Sequence, residues 1–174
     1  MSKINYQLTA IRGIAFDIDG VLSPSTVPCD ANGIPSRMVN IKDGYALQLA
    51  VKCGLKIAII SGGVSQAMVD RYSALGITDI YMGVSEKADV FEKWLQHVGL
   101  KAEEVAYMGD DVPDIPVMLA AGLAIAPSDA AVDAKDAAQY ITVAAGGYGA
   151  AREVLEQILR AQGLWMAHSK AFGW

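Results

Sequence analysis

The 174-residue chain is poor in several residue types on which common functions depend. It has two cysteines, Cys29 and Cys53, too few for a disulfide framework and without metal-ligand spacing. They are expected to be thiols in a reducing, cytoplasmic compartment. Its two histidines are His97 and His168, which leaves little basis for histidine catalysis or a histidine metal site. Lysine and arginine total 14 against 19 aspartates and glutamates, a formal net charge of -5. With no basic stripe to offset that charge, nucleic acid is not an expected partner. No apolar run approaches membrane-spanning length, and Met1 to Tyr6 lacks a signal-peptide pattern. There is no internal repeat and no low-complexity linker.

The composition itself, 53% hydrophobic and 19% charged, suits one globular domain with a real core over residues 1–174. Strand-type apolar runs alternate with helical periods along the chain. Ile11 to Phe16, Lys56 to Ile60, Asp79 to Met82, Glu104 to Met108, Leu123 to Ala126 and Tyr140 to Val143 read as strands. Between them fall helices starting near Asp43, Ser85 (as a cap), Pro113 and Asp129, one after Ser61-Gly62-Gly63 with Met68, Tyr72 and Leu75 on one face, and a last one carrying Val154, Leu155, Ile158 and Leu159. This alternation predicts a three-layer, Rossmann-like, doubly wound and mostly parallel α/β sheet. One segment breaks the rhythm. Residues 25–40 have no helical period and carry the turn signal Asp30-Ala31-Asn32-Gly33, which predicts a protruding β-hairpin.

Chemistry collects at the predicted strand ends. The first strand runs into Asp17-Ile18-Asp19-Gly20, placing two carboxylates on one side of an extended chain. The second ends in Ser61-Gly62-Gly63, the fourth in Gly109-Asp110-Asp111 with Asp114 beyond, and Lys87 follows the third. Taken singly, each is an ordinary turn or helix start. In a parallel sheet, however, the carboxyl ends of the strands share one edge, the usual ligand crevice. A carboxylate nucleophile, a second carboxylate as acid/base, a hydroxyl, an amide and a fixed cation make a set suited to a phosphate monoester. Two anions must meet there in an acidic protein, so a hard divalent cation on Asp17, Asp110 and the backbone carbonyl of Asp19 is expected, and oxygen-only donors suit Mg²⁺.

These residues carry a resemblance. Asp17-x-Asp19-Gly20, Ser61, Lys87 and Gly109-Asp110-Asp111-x-x-Asp114 resemble the four motifs of the haloacid dehalogenase-like phosphohydrolases. Val39 to Tyr45, Asp70-Arg71-Tyr72 with Leu75-Gly76-Ile77, and Gly146 to Glu153 further resemble the 3-deoxy-D-manno-octulosonate 8-phosphate (KDO8P) phosphatase family, over about Ile11 to Leu159. The resemblance implies a Mg²⁺-dependent phosphatase of an eight-carbon sugar acid in lipopolysaccharide synthesis, working as a homotetramer through an aspartyl-phosphate. It implies Asp17 as nucleophile, Asp19 as acid/base, Ser61 and Lys87 as further catalytic groups, and Asp17, Asp19 and Asp110 at the metal. It also implies substrate contacts at Asp19, Asn40, Ile41, Lys42, Asp43, Gly44, Gly62, Arg71 and Lys87.

Two positions depart from the family pattern, Gln48 and Gly63, where arginines suited to a substrate carboxylate are expected. Arg37, Lys42 or Arg152 is then the expected replacement. The short gaps between motifs leave no room for a cap domain, so hairpins of several subunits pairing together are the expected roof, ahead of a flap lying on its own subunit. The aromatic tail, residues 163–174, is expected to dock either on a neighbouring subunit near the site or on its own domain. The readings to set beside this one are a nine-carbon sialic-acid-type or less selective phosphatase, a phosphotransferase, and an idle scaffold of the same fold. Retention of every chemical group disfavours the scaffold.

Overall fold

The structure, a computed structural model, describes residues 3–167 and 169–173. Six strands form the sheet: β1 (Gly13–Phe16), β2 (Lys56–Ile60), β3 (Asp79–Tyr81), β4 (Val105–Met108), β5 (Leu123–Ala126) and β6 (Tyr140–Ile141). All pair in parallel, in the order β3-β2-β1-β4-β5-β6. Six α-helices cover the two faces: α1 (Ile41–Lys52), α2 (Gln66–Ser73), α3 (Lys87–Val98), α4 (Ile115–Ala120), α5 (Val132–Ala137) and α6 (Ala150–Ala161).

Successive strand side chains point to opposite faces, and here both faces are buried. Ile14, Phe16, Ile57, Ile59, Met108 and Ile125 pack with α1, α2 and α6. Ala15, Ala58, Ile60, Tyr107 and Ala124 pack with α3, α4 and α5. That double burial explains why the strands read as unbroken apolar runs rather than as polar alternations. The strand order reverses its direction of growth at β1, whose neighbours are β2 and β4. The carboxyl ends of β1 and β4 therefore flank a topological switch point, the place in such sheets where a crevice opens.

Two local expectations are revised, and one left open is decided. Residues 25–40 form the expected turn, with Asp30 accepting from the amides of Asn32 and Ile34, but only one antiparallel bridge, Cys29 to Pro35. Proline at 28 and 35 removes ladder donors, so the segment is an irregular flap rather than a regular hairpin. Ser85 does not cap α3; the N-cap is Glu86, without a side-chain cap bond, and the helix starts at Lys87. The described part of the tail lies on its own domain. Trp165 meets Tyr45 edge-on at 6.0 Å, Ala171 accepts from the Tyr45 hydroxyl, and Gly173 accepts from Lys52 at 2.9 Å. His168 and Trp174 lie outside the described residues.

Candidate active site

The cleft at the switch point has a volume of about 450 Å³ and is lined by Asp17, Asp19, Ser61, Gly62, Lys87 and Asp110, among others. Each arrives by the strand logic above. Asp17 is the first residue past β1, its amide bonded to the Met108 carbonyl at 3.1 Å, so the end of β4 fixes its height. One Asp17 oxygen accepts from the Ile18 amide at 2.7 Å. The other faces Lys87 Nζ at 3.0 Å. Ser61 follows β2, with its amide bonded to Tyr81 and its hydroxyl accepting from Gly63 at 3.3 Å.

Gly20 makes the metal-facing part of the site geometrically feasible. Its φ of +82° is a left-handed conformation that suits glycine. A Cβ at that position would fall 1.9 Å from an Asp110 carboxylate oxygen. The Asp110 side chain therefore occupies the space that a side chain at position 20 would need.

Asp114 is the hub behind the cleft. It is fully buried, and one of its oxygens accepts from Lys87 at 2.7 Å and from the Tyr107 hydroxyl at 2.7 Å. The other accepts from the Asp110 amide at 3.0 Å, which holds the loop after β4 in place. Sequence reasoning placed Asp114 in the motif but missed Tyr107, whose only signal was a hydroxyl inside an otherwise aliphatic strand.

The charges are crowded. Burial, reinforced by Asp114 and opposed by Lys87, raises the Asp17 pKa to about 6. Burial and then Asp17, Asp114 and Asp111 raise Asp110 to about 7. Burial works to lower the Lys87 pKa, but Asp17 and Asp114 outweigh it and leave the ammonium above its ordinary value. Oxygens of Asp17, Asp110 and Asp114 lie within 4.8 Å of one another. An all-oxygen set of this kind, anionic and converging on one point, fits a hard divalent cation. The carboxylate of Asp19 is not part of this cluster; it turns instead to Arg37, with two contacts of 2.7 Å.

The other sequence-predicted contacts stand beside the cleft rather than in its lining. Asn40 caps α1 by accepting from the Lys42 and Asp43 amides at 2.8 and 3.3 Å, and it donates to the Gly147 carbonyl at 3.2 Å. Ile41 and Lys42 are exposed, and buried Asp43 accepts from the Arg152 amide at 2.7 Å. The Arg71 guanidinium lies over Gly44, where a Cβ would come within 2.4 Å of it. Gln48 accepts from Lys52 at 3.2 Å along α1.

This fold is that of a known class. Residues 64–153 match the haloacid dehalogenase-like hydrolases, and the chain belongs to that family. The KDO8P phosphatase KdsC of Escherichia coli K12 is 40% identical over 153 residues, covering 88% of this chain and 81% of that protein. The KdsC protein of Yersinia pestis is 38% identical over 152 residues, covering 87% and 81%. Among solved structures, the KDO8P phosphatase of Moraxella catarrhalis, crystallised with a magnesium ion, a phosphate ion and KDO, superposes with a TM-score of 0.89 at 32% identity, covering 96% of each chain. The cobalt-bound phosphatase of Haemophilus influenzae gives 0.86 at 33%, covering 90% of this chain and 92% of that one. Within the hydrolase class, the chain is a member of the KDO8P phosphatase family and so a phosphoric monoester hydrolase.

Proposed function

We propose that the protein is a Mg²⁺-dependent phosphatase that hydrolyses the phosphate monoester of a sugar acid, 3-deoxy-D-manno-octulosonate 8-phosphate, to KDO and phosphate. The observation that carries this reading is the convergence of Asp17, Ser61, Lys87 and Asp110 from three strand ends and a helix start on one cleft. The relatives' activity and the ligands of the Moraxella catarrhalis structure supply the substrate class.

In this mechanism Asp17 attacks phosphorus, and the bond to the sugar oxygen breaks as an aspartyl-phosphate forms. Asp19 gives its proton to the departing oxygen and afterwards takes one from the water that cleaves the acyl phosphate. The Ser61 hydroxyl and the Gly62 amide hydrogen-bond phosphoryl oxygens. Lys87, fixed between Asp17 and Asp114, neutralises the charge that develops on them. Asp17, Asp110 and the Asp19 carbonyl hold Mg²⁺, which when bound offsets the repulsion between nucleophile and phosphoryl group. Asn40, Ile41, Lys42, Asp43, Gly44 and Arg71 serve the sugar side.

The cleft is open, and apolar side chains are exposed on the flap and at positions outside it: Ile34, Met38, Val39, Ile41 and Val64. Those exposed side chains support a homo-oligomer, a tetramer, in which flaps of neighbouring subunits roof the sites; sedimentation at micromolar concentration should show no monomer. No described helix is long and apolar enough to cross a membrane.

The functional test is a comparison of kcat/KM across phosphorylated sugar acids. The eight-carbon phosphate should lead. A nine-carbon sialic-acid-type phosphate in first place would reassign the substrate, and a flat profile would indicate a general phosphatase.

A further inference from the structure

Arg37 belongs to the flap, yet its side chain is only 5% exposed. Its Nε and Nη2 each stand 2.7 Å from the two oxygens of Asp19, a forked pairing that a planar guanidinium makes with a carboxylate. Its third nitrogen, Nη1, is buried and has no hydrogen-bond partner. A buried donor of a charged group without an acceptor is costly, and it marks a place where an acceptor belongs. The room comes from position 63. A Cβ on Gly63 would lie 2.3 Å from Arg37 Nη2 and 3.2 Å from an Asp19 oxygen.

We propose that Arg37 binds the carboxylate of the sugar acid, and that Asp19 holds the guanidinium in place until substrate arrives. This rests on the sugar-acid phosphatase reading given above. Both oxygens of Asp19 are taken up by one guanidinium, so at least one of these contacts must open before Asp19 can engage a leaving oxygen. A second anion on the substrate, remote from the phosphoryl group held by Lys87 and Ser61, displaces it. Selection for a sugar acid and release of the acid/base then become one event. A neutral sugar phosphate brings no such anion and leaves the clamp shut.

The other cations near the site are placed differently. Arg152 is committed to Glu156 at 2.8 Å and to the Trp165 ring, 4.3 Å from its centroid. Lys42 is exposed on the first turn of α1. Arg71 also has a buried, unpartnered Nε, but its guanidinium lies over Gly44 rather than against Asp19.

The test measures kcat/KM of the parent, Arg37→Ala, Arg37→Lys and Gly63→Ala on three substrates: KDO8P, its analogue with the carboxylate reduced to an alcohol, and p-nitrophenyl phosphate. Arg37→Ala should lower the KDO8P to aryl-phosphate ratio at least tenfold, mostly through KM, as expected for loss of a charged hydrogen bond (about 10- to 100-fold). Arg37→Lys should recover part of it, because charge survives without the fork. Gly63→Ala, which pushes the guanidinium aside and leaves Arg37 in the chain, should lower the same ratio. On the reduced analogue the ratio should barely respond to any of the three. An unchanged ratio in Arg37→Ala, in an enzyme that prefers KDO8P, overturns this proposal alone. A parent with no preference for KDO8P over the aryl phosphate overturns the functional reading, and this proposal with it.

Discussion

Lys87 Nζ lies 3.0 Å from Asp17 Oδ2, and both side chains are at least nine-tenths buried. The same ammonium meets fully buried Asp114 at 2.7 Å, so one cation satisfies two carboxylates that are largely or wholly withdrawn from water. Breaking a buried ion pair from one side leaves an uncompensated charge, at a cost of about 3–5 kcal/mol. Lys87→Ala should therefore lose about that much stability in urea unfolding of the metal-free protein. Mg²⁺ should restore part of the loss, because a second cation then faces the same anions. A variant as stable as the parent without metal would mean that Lys87 does not hold the cluster together.

Gly20 offers a separate handle on the metal site. A methyl group there would fall 1.9 Å from an Asp110 oxygen, on a backbone with φ of +82°. Gly20→Ala should weaken Mg²⁺ affinity about 10- to 100-fold, by analogy with displaced ligand supports. It should also cost about 1–2 kcal/mol for the left-handed backbone alone. Calorimetric titration of Mg²⁺ and a thermal melt check the two effects independently.

Both the acidic pairs and the sheet were legible in the sequence, for the same physical reason. A strand buried on two faces must be a continuous apolar run, and its end is where the first charged residue appears, as at Phe16–Asp17 and Met108–Gly109–Asp110. What depended on long-range packing was harder to read. The pairing of Arg37 with Asp19 spans an irregular flap whose path no period encodes, so Arg37 could be named only beside Lys42 and Arg152. Ser85 resembled a cap by composition, but the helix begins at Lys87, where two buried carboxylates draw the ammonium inward. Tyr107 read as one more core residue of β4, because its hydroxyl partner lies seven positions on, past the turn. The tail's aromatic content signalled docking, and only the contacts with Tyr45 and Lys52 decided in favour of its own domain.

Asp43 gives a pH prediction outside the metal cluster. It is 2% exposed, and burial raises its pKa from 3.8 to about 6, against the opposing bond from the Arg152 amide. The folded state thus binds this proton more tightly than the unfolded chain does. Its contribution is most favourable below about pH 4, declines as pH rises to about 6, and stays at its least favourable above that. Two pKa units correspond to about 2–3 kcal/mol. The stability of Asp43→Asn relative to the parent should therefore improve by about 2 kcal/mol between pH 4 and pH 7 in urea titrations. A difference independent of pH would show that Asp43 is not buried as a carboxylate.

Metal binding should register as stability without any substrate. With Asp17, Asp110 and Asp114 crowded within 4.8 Å, the apo protein carries a repulsion that a divalent ion relieves. At a hundred times its dissociation constant, Mg²⁺ should add about 2.7 kcal/mol to unfolding. Asp110→Asn should abolish most of that increment, and Ca²⁺, which prefers more ligands at longer distances, should support little turnover.

The most direct test of the central claim, that Asp17 takes the phosphoryl group with a divalent ion beside it, is turnover of KDO8P by the parent and by Asp17→Asn, each with Mg²⁺ and with chelator. The account predicts hydrolysis by the parent in Mg²⁺ alone, and loss of kcat on the order of 10⁴-fold or more in Asp17→Asn, as when a nucleophile is removed. Asp17→Asn turning over at the parent's rate, or a parent indifferent to chelator, would contradict it.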